Sequence, residues 1–535
     1  MTDPLCLPSD PDTHWSTVNV GEALPGVATP LGWSLWGTVG DRMCRDLCYA
    51  IGVFNRRERA DPARPGDRIV SIFRGRIAMR MEWLAVVGDR MPGTTGADAV
   101  AGMLGKAPDT MVFAPTRRRY PVIAWRLPSA GLGTPGRIRR TAPATERWWR
   151  RRTRELATAD RDRAVAVFAE AVRQFGHTMT LHGIGLFSAV TPLFNALTAL
   201  VAKAGVGDVA VLSGTGGAEM AMIESIWRAS RGEIGVQRVI DEHGYHGPLE
   251  GEVSSRVWRE DPAPLHAMIE HYRARGESDS PLRRDRLAAE RLPVMQRQVL
   301  AALPAARRPA ARLLLVAAAR TIPLRGVGKA SFLQALDVIR AAARRIGEHL
   351  EAEGVLDDPE DVFYLLAEEL TGPALVDARA LVAARRAWRA EHLRVELPQS
   401  WRGVPEPLPA EPAGSDKDRA GSSVTGIGAG PGVVEGLARV VTDPRFVDVE
   451  PGEVLIAPTT DPSWASIMFV SAALVVDIGS MISHAAVVAR ELGLPCVVNT
   501  RTGTRVFRDG DLVRVDGAAG TVELVKPVDR PGPGT

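Results

Sequence analysis

The chain has 535 residues, with 66 Lys+Arg against 63 Asp+Glu, so its net charge of +3 is small for its length and excludes a polybasic nucleic-acid binder on composition alone. At 45% hydrophobic and 24% charged residues it reads as a globular protein rather than a disordered or fibrous one. It is roughly three to four times the usual domain length, so more than one core is expected. Cys6, Cys44, Cys48 and Cys496 are too scattered for a disulfide framework, and Cys44 with Cys48 lacks a second pair for zinc, which suggests a reducing, cytoplasmic compartment.

The opening MTDPLCLPSDPDTHW has no basic stretch followed by an apolar one, so no signal or transit peptide is expected. From Trp15 to about Pro135 the text mixes turn signals with short apolar stretches and marks few elements. From Thr145 to Leu393 Ala, Leu and Arg dominate, with helical periodicity in stretches such as FLQALDVIRAAARRIGEHLEAEG. Within it, the uncharged run Gly183 to Ala202 is long enough to span a bilayer, but its Ser, Thr, Asn and Pro content favours a buried core helix over a membrane span. Gly403 to Ser423 is rich in Pro, Ala, Gly, Ser and charge and reads as a mobile tether. After it come short strand patterns, GLARVVT, EVLIAP, ALVVDIG and PCVVN, with helices expected from about Ser463 and Ser483. LVRVDGAAGTVELV then reads as a hairpin turning at Asp516 to Gly520. The expected division is a mainly α-helical region over 1–402 (with a sub-boundary near 140), a flexible tether over 403–423, a small α/β domain over 424–527 and a tail over 528–535.

In the α/β domain a strand, Leu474 to Ile478, runs through Gly479 and Ser480 to Ser483 and His484, and then into AAVVARELG. This places His484 in a first helical turn, where the positive end of the helix favours an anion and Ser483 serves as N-cap. A histidine there is suited to carry a phosphoryl group as a covalent nucleophile. Upstream, Arg325 and Lys329 lie four apart and share a face if helical, so that both cations bear on one phosphoryl group. GVGKAS at Gly326 to Ser331 is not a phosphate-binding loop, because Ala330 follows the lysine and Pro323 stands where the first glycine is needed. Asp241, Glu242, His243, His246, Glu250 and Glu252 form a polar loop. Its functional readings are a base, His246 or His243, that takes a hydroxyl proton, or a divalent metal site on the two histidines and a carboxylate; its bland reading is a hydrogen-bonded loop. GTGGAEM at Gly214 reads as a helix-to-helix turn. The run Arg137 to Arg154 reads as a solvated amphipathic helix, given Glu146 and Glu155 within and beside it, and not as a nucleic-acid surface.

The C-terminal text, in order GIGAGPGVVEGLARVV, LIAPTTDPSW, GSMISHAAVVARELGLPCVV and VRVDGAAGTVEL, resembles the swivelling phosphohistidine domain of the enzymes that use phosphoenolpyruvate (PEP) or make it from ATP. The resemblance implies a β/β/α swivelling fold and a phosphohistidine at His484. Gly479-Ser480 stands where that family has a pair of glycines. Further upstream VNVGEALPGVATPLGWSLW, HGYHGPLEGEVSSRVWRED, IPLRGVGKASFLQALDVIR and EDVFYLLAEEL are similar to the rifampicin phosphotransferase branch. This implies transfer roles for Arg325 and Lys329, while Tyr245-His246 stands where the branch has a His-Arg pair. The complete enzymes also carry an ATP-grasp region, or a barrel that uses PEP. Neither is expected between the motif near Val18 and the last strand near Val525. ATP and magnesium are therefore expected on a separate ATP-grasp protein of the PEP/pyruvate-binding type, with no cofactor on this chain. The function so implied is the acceptor half of a split phosphotransferase, relaying a phosphoryl group to a hydroxyl of a small apolar molecule, with no nucleic acid or membrane as partner. The rival readings are a non-catalytic ligand-binding or regulatory remnant and a metal-dependent enzyme built on the HGYH loop.

Overall fold

The computed structural model describes residues 2–528 apart from 19, 25, 63, 105–106, 207–217, 275, 277–279, 373–376, 409–421, 443–448, 451, 461–463, 465–466, 469–470 and 480–482. Its longer helices are α1 (Pro30–Ala50), α2 (Met81–Arg90), α3 (Gly96–Leu104), α4 (Tyr120–Leu156), α5 (Arg161–Gly185), α6 (Thr191–Ala204), α7 (Ala218–Ser230), α8 (Val236–His243), α9 (Ala263–Arg273), α10 (Pro281–Ala301), α11 (Arg308–Thr321), α12 (Leu324–Ala352), α13 (Ala378–Leu393) and α14 (His484–Leu492). The chain is multidomain, mainly helical, with a C-terminal α/β sheet region. Two units form: residues 1–218, 249–257 and 293–408 make the first, and 219–248, 258–292 and 409–535 the second.

In the first unit α12 packs against α5 and α4. Leu333, Leu336, Ile339, Ala343 and Ile346 recur at spacings of three and four and are buried, as are Val167, Phe168, Ala171 and Phe175 of α5. Polar groups fix this packing. Asp337, fully buried, accepts from Trp149 Nε1 at 2.7 Å and lies 3.7 Å from Arg340. The Arg340 guanidinium also donates to the carbonyls of Glu250 and Glu252, each at 3.1 Å. Glu252 in turn accepts from Thr29 N at 3.0 Å and Thr29 Oγ1 at 2.7 Å, at the N-cap of α1, and the carbonyl of Gly251 accepts from Trp36 Nε1 at 2.8 Å. The 249–257 segment is thereby fastened to two helices of this unit, α12 and α1. A small sheet, in the order β2 (Val70–Phe73), β3 (Arg76–Arg80), β1 (His14–Ser16), β4 (Ser400–Arg402), joins the two ends of the region.

Four expectations are modified. α4 runs unbroken through residue 140, across Pro128, Pro135 and Pro143, where the sequence suggests a sub-boundary. Its Arg-rich half is amphipathic as expected but only partly solvated: Trp149 is buried, while Arg150 pairs with Glu146 and Arg152 with Glu155 and Glu170. The Gly183 to Ala202 run is helical, continuing from α5 through a π-helical stretch, Leu186–Val190, into α6. Yet Leu197 alone is fully buried in α6, which rests on α11. By length and composition Arg161–Ala204 suffices to cross a membrane. The start of the segment expected as a tether is bonded to the helical region, since Gly403 N donates to Thr13 O at 2.8 Å and Leu408 N to Glu396 O at 2.8 Å; 409–421 lies outside the described residues, as do 214–217, where a turn is expected, and the residues from 529.

The second unit contains an eight-stranded sheet. Its order is β5 (Ser423–Thr425), β12 (Thr521–Lys526), β11 (Leu512–Asp516), β7 (Val433–Val440), β8 (Val454–Ala457), β9 (Ala473–Val476), β10 (Cys496–Val498), β6 (Ile427–Gly430). β7 to β10 are parallel, and β11 with β12 forms the expected hairpin, Asp516 opposite Thr521. β8, β9 and β10 read as unbroken apolar runs because both faces are covered. Leu455, Leu474, Val476 and Val498 join one core with Ala486 and Ala489 of α14, and Val454, Ile456, Val475 and Val497 join another with Phe507, Val513 and Val515.

Replacing Arg340 with Met should leave Asp337 as a buried charge and strip two carbonyls of their donor. Chemical denaturation is expected to show a loss of about 3–5 kcal/mol, whereas a loss below 1 kcal/mol, typical of exposed pairs, would show that the network is not structural.

Candidate phosphotransfer site

His484 begins α14 directly after Ser483, which has extended backbone (φ −63°, ψ 163°) and whose Oγ accepts from Ala486 N at 3.2 Å. The expected cap is therefore formed. The helix starts at the carboxyl edge of β8, β9 and β10, the edge at which open parallel sheets bind ligands. Residues 480–482 lie outside the described residues, but both flanks of that turn are fixed. Asp477, at the end of β9, accepts from Thr500 Oγ1 at 2.7 Å and Gly503 N at 2.6 Å, tying the turn to the loop after β10. A side chain at Gly479 would place its Cβ 2.9 Å from Val498 Cβ, so only glycine lets the turn close on β10.

Arg325 and Lys329 occupy the first two turns of α12 and share a face, as their spacing implies. Both are partly buried. Lys329 Nζ lies 3.5 Å from Oε2 of the buried Glu250, which reaches α12 because Arg340 holds its carbonyl. Between the two cations on the same face is Gly328. An added Cβ there would lie 2.7 Å from Nδ1 of His182 on α5, so the absence of a side chain lets the imidazole rest on the α12 backbone. The ring also meets Phe332 edge-on, with centroids 5.3 Å apart. Burial, followed by the charges of Arg325 and Lys329, pushes His182 down to about 3, so the ring is neutral at pH 7.

Sequence reading missed His182. Locally it is one histidine in an apolar helix, and what distinguishes it sits on a helix far along the chain.

The HGYH residues belong to the second unit. His243 ends α8 with Nε2 3.2 Å from Ser225 Oγ of α7; His246 is buried, 4.3 Å from the Tyr245 ring and 5.6 Å from Trp258, and its carbonyl accepts from Trp258 N at 2.8 Å. Among the described residues no group of three His, Cys, Asp or Glu side chains is arranged to hold a metal ion. All four cysteines are free, and burial pushes Cys48 and Cys496 up to about 12.

The acid response follows from His182. Its folded pKa lies below its ordinary value of about 6.5, so between pH 6.5 and 3 the unfolded chain binds more protons. Its contribution to stability is complete above pH 6.5 and is lost as the pH falls, at up to about 1.4 kcal/mol per unit. Urea midpoints measured at pH 7 and 4.5 should converge in His182→Gln relative to wild type; an unchanged gap would assign the acid sensitivity to other groups.

Residues 449–520 match the mobile domain of PEP-utilising enzymes, and residues 217–326 match the rifampicin phosphotransferase fourth domain. An uncharacterised protein of Mycobacterium tuberculosis is 34% identical over 297 residues, covering 54% of this chain and 31% of that protein. A rifampicin phosphotransferase of Streptomyces sviceus is 30% identical over 298 residues, covering 54% and 34%. An uncharacterised phosphotransferase of Bacillus subtilis, YvkC, is 35% identical over 191 residues, covering 34% and 23%. The chain thus spans at most about a third of the length of these relatives. His484, at the head of α14, lies inside the first match and Arg325 inside the second, so the chain carries one region similar to the mobile domain of PEP-utilising enzymes and another similar to the fourth domain of rifampicin phosphotransferases.

Proposed function

We propose that this chain relays a phosphoryl group from a separate ATP-grasp protein, through His484, to a hydroxyl of a small apolar molecule. The observation that carries the reading is the pairing of two features in one chain: a histidine at the start of a helix on the carboxyl edge of a parallel sheet, within a mobile-domain match, and an Arg-Lys face on α12. The first suits a covalent carrier. The second suits a clamp, since two cations on adjacent turns spread charge over the equatorial oxygens of a phosphoryl group in transit. In the transfer the P–N bond to His484 breaks and the O–P bond to the acceptor forms. A ring whose second nitrogen carries a proton leaves as neutral imidazole, and the hydroxyl proton passes to a base. Buried thiols fit a reducing compartment. ATP and magnesium belong to the donor protein.

Potassium phosphoramidate, a small chemical donor, offers a route to loading that needs no partner. The label should be lost in acid and survive in alkali, as a phosphoramidate does, and be absent from His484→Ala. Acid-stable label, or label persisting in His484→Ala, would exclude the relay and favour a ligand-binding role. With rifampicin as probe acceptor, Arg325→Ala and Lys329→Ala should each load normally but deliver 10²-fold or more slowly; undiminished delivery by both would return these residues to a structural role. The 535-residue chain alone should show no saturable ATP binding by calorimetry, and tight binding would refute the division of labour between two proteins.

A further inference from the structure

The proposed transfer needs a base, and the HGYH histidines are not the only choice. We infer that His182 is the catalytic base for the acceptor hydroxyl, and that an arriving phosphoryl dianion switches it on by cancelling the field of Arg325 and Lys329. The inference rests on the relay reading for its reaction and on the geometry of α5 and α12 for its residue.

Three observations support it. The imidazole lies on the Arg325–Lys329 face of α12 itself, seated on the bare backbone of Gly328 and backed by Phe332. A hydroxyl attacking phosphorus held by those cations has its proton beside this ring. Second, among the described residues the buried ring is engaged in no hydrogen bond, so neither nitrogen is committed to a structural partner. Third, the charged groups bearing on it are unbalanced. Arg325 and Lys329 of α12 oppose its protonation, α5 supplies no carboxylate to offset them, and Glu250 of the 249–257 segment stands on Lys329.

An imidazole depressed to about 3 is a poor base. Two negative charges between Arg325 and Lys329 reverse the Coulombic part of that depression, since the charges that opposed a proton are then neutralised. Basicity therefore rises only when a phosphoryl group is present. Before loading, the ring stays neutral and does not compete as a cation for the carboxylate of Glu250. After transfer the bound proton leaves to solvent as the phosphorylated product departs.

The test uses the full chain with isotope-labelled histidine, the His182 signal being assigned by its loss in His182→Gln, and inorganic phosphate as probe. Without phosphate, His182 should not titrate between pH 8 and 5. With saturating phosphate its midpoint should rise by more than one unit, and in the Arg325→Ala/Lys329→Ala variant it should start higher and ignore phosphate. A midpoint near 6.5 in the free wild type, or one that does not respond to phosphate, overturns the inference. These outcomes do not depend on the relay. In delivery from phosphoramidate-loaded chain to rifampicin, His182→Gln should load His484 fully and deliver 10²- to 10⁴-fold more slowly, with the phosphate-sensitive limb of the pH profile lost. If His246→Gln stops delivery and His182→Gln does not, the base is in the HGYH loop; if wild type never loads, the relay fails while the titration still decides the switch.

Discussion

The Arg325–Lys329 face of α12 depends on one buried guanidinium. Arg340 is almost wholly removed from water, and its donors go to Asp337 and to the carbonyls of Glu250 and Glu252. Such a group is tolerated only when its partners are present, and here they lie on α12 itself and on the 249–257 segment, each reaching on to another element. Asp337 engages Trp149 of α4; Glu252 engages the N-cap of α1; Glu250 reaches Lys329 on α12. The network therefore does more than stabilise a core. It sets the position of the carboxylate that holds Lys329 and thus the direction in which that cation is presented.

Electrostatics then separates the two cations. Lys329 has Glu250 at 3.5 Å, a spacing at which an opposite charge fixes an ammonium without fully neutralising it, given the high effective dielectric of partly buried pairs. Arg325, a planar fork suited to bidentate contact with phosphate oxygens, stands on the same helix face. Placing a neutral imidazole between them adds no third positive charge. The N-terminal position on α12 adds the positive end of a long helix to the same region, so an anion is favoured by backbone as well as by side chains.

What the sequence revealed and what it hid divide along contact range. The strands β8 to β12, the hairpin at Asp516 and the Ser483 cap were legible because period-two alternation, turn residues and N-cap chemistry are written within a few residues. The α12 face was legible for the same reason, Arg325 and Lys329 being one turn apart. His182 was not, since its character comes from Gly328, Arg325 and Lys329 on another helix. Nor was Arg340, which in the run VIRAAARRIG is indistinguishable from the arginines beside it until Glu250 and Glu252 are folded against it. The change in composition between about Pro135 and Thr145 points the other way: it suggests a boundary near 140, yet α4 runs through it and absorbs Pro128, Pro135 and Pro143, with Pro135 itself buried.

The same contrast bears on how the proposed carrier and acceptor sites could change independently. The carrier's requirements are local: a glycine at 479 to close the turn, a serine to cap, and a histidine next to it. Such a motif survives almost any change elsewhere in the sheet. The proposed acceptor side has no local motif beyond Arg325 and Lys329; the imidazole, the carboxylate and the guanidinium gathered at that face are spread over α5, α12 and the 249–257 segment. Altering acceptor preference by substitutions on helices that do not touch this network costs little, whereas a change at Gly328 forces the His182 ring off its seat, because a Cβ at 2.7 Å from Nδ1 leaves no room for both.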